Sequence, residues 1–89
     1  MVLDTKAASD LMRKGFLIGA QAIQNTDETW RLKLVPRKGD SVVLNSARST
    51  RKRIFKSLDA TASAARTIGF SSVEVQFEEL REEAAEAAM

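Results

Sequence analysis

Cysteine, histidine and tyrosine are all missing from these 89 residues, and each absence removes a chemistry. Without cysteine there is no disulfide and no thiol nucleophile. Without histidine there is no imidazole base for neutral pH and no usual zinc ligand. The serines have no evident proton acceptor beside them, and neither a nucleophile elbow nor a phosphate-binding loop surrounds any of the four glycines. Most carboxylates fall on polar faces, where a solvated acid with no chemical role is the usual state. The expectation is a protein that is not an enzyme, with no catalytic residue, metal, cofactor or small-molecule substrate. Long apolar runs are scarce too. GFLIGAQAI at 15–23 is far too short to span a bilayer, and MVLDTKAASDLMRKG at 1–15 places charges where a signal peptide needs an apolar stretch. The chain therefore reads as unsecreted, with no membrane partner, in a reducing cytoplasm.

What is abundant is charge, and it is unevenly placed. The formal net charge is only +2, but residues 29–56 hold nine bases (Arg31, Lys33, Arg37, Lys38, Arg48, Arg51, Lys52, Arg53 and Lys56) against Asp40 alone, a net of +8. Residues 78–89 hold Arg81 against five glutamates, a net of −4. A block of one sign creates a local field whatever the total, so the middle third is where an anionic partner would meet the chain. The acidic end is a candidate competitor for that surface.

The length fits one domain with a modest core, for which dimerisation would be an unsurprising source of stability. Residues 1–78 read as that domain and residues 79–89 as a frayed or disordered acidic tail. A first helix is expected over 4–15, capped by Asp4 or Thr5, with Ala7, Ala8, Leu11 and Met12 on one side and Gly15 as its stop. A strand over 16–24 follows; one longer helix to about Ile23 is the alternative, at a cost of about 1 kcal/mol for each included glycine. TWRLKLV alternates strictly, Trp30, Leu32 and Leu34 on one face and Arg31 and Lys33 on the other. RKGD at 37–40 makes the turn into a partner strand, SVVLNS at 41–46, and 51–55 suggests a short strand with Ile54 or Phe55 inward. The best helix is SLDATASAARTIGF, capped by Ser57, striped by Leu58, Ala62, Ala65 and Ile68, and stopped at Gly69-Phe70. SSVEVQFEE then alternates Val73, Val75 and Phe77 inward against Glu74, Gln76 and Glu78 outward. The fold class expected is α+β: an antiparallel sheet of four to five strands in the order αβββ(β)αβ, one or two helices on one face, with a homodimer as a further expectation.

The strand pattern bears directly on function. If Trp30, Leu32 and Leu34 pack on the helices, the pleat holds Arg31 and Lys33 outward. The turn adds Arg37 and Lys38, and the segment from Arg48 to Lys56 adds five more cations, so a three-stranded surface of nine is expected to contact phosphates. Asn45, Ser46, Ser49 and Thr50 are candidate neutral phosphate contacts. Against this stands the ordinary use of lysine and arginine on exposed strands to prevent edge aggregation. Trp30 alternates with two leucines and belongs to the core rather than to a base-stacking platform. In the stretch RKRIF, Arg51 and Arg53 share the face of Phe55, so a bulge or loop is expected before Phe55.

From Trp30 to Gly69 the order of alternating strand, basic turn, VVL strand, basic strand and helix resembles DNA-binding modules with a three-stranded sheet and a helix, typified by the plant ethylene-response domain and phage integrase arm-binding domains. RKRIFKSLDATASAARTIGFSSVEV at 51–75 resembles small plasmid-borne ParC-type partition accessory proteins, which implies a setting in plasmid maintenance. Double-stranded DNA is thus the leading expected partner of a non-enzymatic accessory or regulatory protein. The alternative is a protein-interaction or dimerisation module without nucleic acid, and single-stranded binding requires an exposed Trp30.

Overall fold

Capping chemistry sets both helices. In the computed structural model, which describes residues 3–77, Asp4 lies in extended backbone and its carboxylate accepts the Ala7 amide at 3.0 Å, so α1 (Thr5–Arg13) begins there. It ends in a Schellman stop: Gly15, at φ +81°, donates to the Met12 carbonyl at 3.0 Å, and Phe16 to that of Leu11 at 2.9 Å. The second helix, α2 (Leu58–Ile68), repeats this grammar with Ser57 accepting from Ala60 at 3.1 Å and Gly69, at φ +128°, as its stop. A methyl group on Gly69 would also stand 3.1 Å from Met12 Cγ, where the two helices meet.

Four strands, β1 (Leu17–Gln24), β2 (Trp30–Pro36), β3 (Val42–Val43) and β4 (Glu74–Phe77), form one sheet in the order β3-β2-β1-β4. The α+β class is therefore as the sequence indicates, and residues 17–24 are strand rather than a continuation of α1. The sheet is mixed rather than purely antiparallel: β2 runs against β1 and β3, while β4 runs parallel to β1. The connection explains it. Both β1 and β3 oppose β2, α2 then carries the chain back, and β4 sets out from the same end as β1.

Both helices cover one face, and Trp30, Leu32 and Leu34 alternate into the core beneath them. The buried stripe of α2 is Thr61, Ala64, Ala65 and Ile68: Ala65 and Ile68 are as the apolar pattern suggests and Leu58 packs partly buried against the core, but Thr61 and Ala64 replace Ala62, which is only half-buried. Thr61 is tolerated at zero exposure because its hydroxyl donates to the Ser57 carbonyl at 2.9 Å. On β4 the alternation has the right phase but the burial is incomplete: Val75 is 41% and Phe77 50% exposed. That strand is one of the two edge strands of the sheet, and among the described residues no strand lies beyond it. Phe77 keeps one aromatic neighbour, Trp30, at 6.1 Å between ring centroids. The expected acidic tail, 79–89, and the outward position of Glu78 lie outside the described residues.

Candidate nucleic-acid interface

The basic block does not form one sheet surface. β3 holds only two residues, and Leu44 adds a last rung by donating to the Leu32 carbonyl at 2.8 Å. There the chain leaves the sheet. Asn45 turns its amide to the Leu3 carbonyl at 2.9 Å and pairs instead with Lys52, starting a small antiparallel finger. Within it Ser46 donates to Arg51 at 2.8 Å, Ser49 to Ser46 at 3.0 Å and Arg53 to Leu44 at 2.9 Å. Phe55 then takes the place left open beside Trp30, the two exchanging backbone bonds of 2.8 and 2.9 Å. Residues 51–55 are thus one side of a finger followed by a core anchor, joined by isolated bridges and not by the short strand expected of them.

This topology sorts the nine cations into separate groups. Arg48, Arg51, Lys52 and Arg53 are all exposed on the finger. Arg31 and Lys33 lie on the open face of the sheet, as the pleat requires. Arg37 and Lys38 follow the last residue of β2, whereas Lys56 follows Phe55 at the Trp30 end, so these two sites lie about 20 Å apart along the strand. Arg37 has structural work, its amide donating to the Phe16 carbonyl at 2.8 Å and its Nε to that of Gly15 at 3.1 Å. Asn45 and Ser49, expected as phosphate contacts, are also engaged inside the finger.

The irregular step expected before Phe55 is present, since Lys52 pairs with Asn45 and Phe55 with Trp30. It does not turn Arg53 away from Phe55, however. The Arg53 guanidinium sits 4.8 Å from the Phe55 ring centroid and donates to Thr5 Oγ1 at 3.0 Å. Lys52 faces the other way. With Arg31 and Ile54 it borders an open cleft of about 390 Å³ against the turn at Asn25 to Thr29. The two flanks of the finger therefore each carry positive charge.

The finger is held from outside, through backbone and side chains, by three consecutive residues, Leu3, Asp4 and Thr5. Leu3 exchanges two bonds of 2.9 Å with Asn45, one to the side-chain Oδ1 and one from the backbone amide. Asp4 uses Oδ1 for the Ala7 amide and Oδ2 for the Arg48 amide at 3.1 Å. Thr5 takes the Arg53 bond. The Asn45 amide group completes the brace by donating to the carbonyls of Thr50 at 3.0 Å and Arg51 at 3.3 Å. These backbone amides, Ala7 first and Arg48 second, hold the Asp4 carboxyl below its ordinary value. Sequence reading assigns Asp4 only a helix cap, because its second partner lies 44 residues away and leaves no local signal.

On the open face charges are mixed. Lys33 stands between Val43 and Gln21, and beyond Gln21 lies Glu74. Glu74 accepts from Gln21 at 2.6 Å and from Gln76 at 3.1 Å. Arg31 donates to Asn25 and faces Ile23. Trp30, at 7% exposure, offers no stacking platform. Among the described residues there is no group of three or more side chains suited to a metal, and no helix long and apolar enough to cross a membrane. Comparison with protein-family models, curated proteins and solved structures returns no match to this chain.

Proposed function

We propose that the protein is a non-enzymatic nucleic-acid-binding accessory or regulatory protein, that double-stranded DNA is its partner, and that the finger at 44–53 is its principal contact. One observation carries the reading. Arg48, Arg51 and Lys52 are exposed on a braced backbone, and among the described residues the only ion pair is Arg13 with Asp10, remote in sequence from the finger. Cations engaged in no ion pair on a fixed frame suit a regular array of phosphates, whose counterions they release. A two-stranded ribbon also fits a major groove about 12 Å wide. Lys33, Lys38 and Lys56 extend the field around this contact, and Arg31 borders it across the cleft. The resemblance of residues 51–75 to plasmid partition accessory proteins agrees with such a role.

The test is fluorescence anisotropy with a labelled duplex across a salt series. A binding constant whose logarithm falls linearly with log salt is expected, and undetectable binding at about 50 mM salt with tens of micromolar protein rejects the reading. A second reading has its own observation: the outer edge of β4, with Val75 and Phe77 exposed, suits strand pairing with another copy or partner. A dimer that survives high salt, together with no DNA-induced amide shifts over 31–56, favours that class.

A further inference from the structure

We infer that Asp4 is a positioning residue for nucleic-acid contact: its carboxylate latches the tip of the basic finger to the start of α1, fixing the shape in which the finger meets a duplex. This inference rests on the nucleic-acid reading above and adds the device that orders the contact. An N-cap needs one carboxylate oxygen, and Oδ1 serves the Ala7 amide. Oδ2 performs a separate task, accepting from Arg48 across the chain at 3.1 Å. Arg48 needs such a hold because it lies at φ +55°, a left-handed conformation that a residue with a Cβ rarely adopts unless its surroundings impose it. Its position between Ser46 and Ser49, whose backbones are bonded at 3.0 Å, places it at the turn of the finger.

The latch matters for binding because a loose loop must be ordered when it docks, and ordering weakens affinity. A tip already fixed carries its cations in register beforehand. The acid is otherwise poorly placed: a carboxylate beside a phosphate-binding tip repels the ligand. Its two amide bonds point the negative charge at backbone donors within the protein, and for the latch to favour binding the advantage of order must exceed the repulsion.

Asp4→Asn separates the two tasks. The amide oxygen can still cap Ala7, but the other position becomes an NH2 group, which cannot accept from Arg48. In the full chain, without DNA, Asp4→Asn is expected to speed amide hydrogen exchange at Arg48 and Ser46 while the helical circular dichroism stays unchanged. With a labelled duplex the affinity is expected to fall about three- to tenfold. The slope of log affinity against log salt should not change, because no phosphate contact has been removed. Asn45→Ala, which removes the side-chain bonds to Leu3, Thr50 and Arg51 and keeps only the backbone bond to the Leu3 carbonyl, is the second variant and should reproduce both effects. Unchanged exchange at Arg48 overturns the latch. Faster exchange with unchanged affinity in Asn45→Ala, which alters no charge, overturns its positioning role. Absence of duplex binding by the unmodified chain overturns the nucleic-acid reading and the positioning role with it, while the exchange data still decide whether the latch exists.

Discussion

The finger and the open face of the sheet draw their cations from the same basic block, yet present them differently. On the sheet, Lys33 shares its row with Gln21 and Glu74, and Arg31 bonds to Asn25, so positive charge is interleaved with acceptors. On the finger the neighbours are serine, threonine and backbone, and the carboxylate nearest its tip spends both oxygens on amide donors. Local charge counts treat the two alike. What separates them is that an acid, Glu74, lies in the same row as Lys33, whereas residues 44–53 of the finger include none.

Leu44 is where the regions part, and its removal should break the comparison most severely. It is fully buried, donates to Leu32 and accepts from Arg53, so it is at once the last rung of the sheet and the root of the finger. Leu44→Ala is expected to lower stability by about 2–5 kcal/mol in thermal or denaturant unfolding. A loss below about 1 kcal/mol would mean that the two regions are not joined through this side chain.

Charge removal sharpens the contrast directly. The triple change Arg48→Ala, Arg51→Ala and Lys52→Ala should lower the salt slope of duplex binding by about three, because each lost phosphate contact removes nearly one. Neutralising Arg31 and Lys33 to glutamine should lower it by less than about one. Equal slopes for the two variants would show that the open face contributes as much as the finger.

This division is hidden in the sequence because its causes are contacts between distant residues. Elements with local causes are legible: Trp30, Leu32 and Leu34 alternate, Ser57 caps α2, and Gly15 and Gly69 stop their helices. The split of the cations has a distant cause, the bond of Leu3 to Asn45 across 42 residues, which draws the chain off the sheet after Leu44. The two Gly-Phe stops make the same point. Both close with the same pair of backbone bonds, yet Phe16 is 53% exposed and Phe70 8%, because the environment beyond the helix differs where the local motif does not. The parallel pairing of β4 likewise depends on where α2 returns the chain.

Acid titration should resolve the two regions by a smaller effect. Asp4 fastens the finger, while Asp27 fastens the turn beside the open face, its carboxyl held low by the Thr29 hydroxyl and then the Thr29 amide. A folded-state value below the ordinary 3.8 means that each contribution is present above 3.8 and is lost as pH falls through the folded value. Nuclear magnetic resonance should therefore show the Ala7 and Arg48 amides shifting together, with a midpoint below 3.8, while the Thr29 amide follows its own curve. Arg48 moving without Ala7 would refute the shared carboxylate.

The smallest expected change in stability isolates charge from shape at the finger tip. Arg48→Gly removes the side chain but retains the backbone amide that Asp4 accepts, so the latch survives. Relief from φ +55° should return about 1 kcal/mol, and the greater freedom of glycine in the unfolded chain should withdraw about as much. Thermal stability should accordingly move by no more than about 0.5 kcal/mol, while the salt slope falls by about one. Asp4→Asn does the reverse, keeping the Arg48 cation and freeing the shape, while also removing the carboxylate's own negative charge. If both variants weakened binding with the same loss of slope, order and charge at Arg48 could not be separate contributions. If Arg48→Gly left the slope intact, the tip would be a structural turn, and the phosphate contacts would have to come from Arg51 and Lys52 on the flanks.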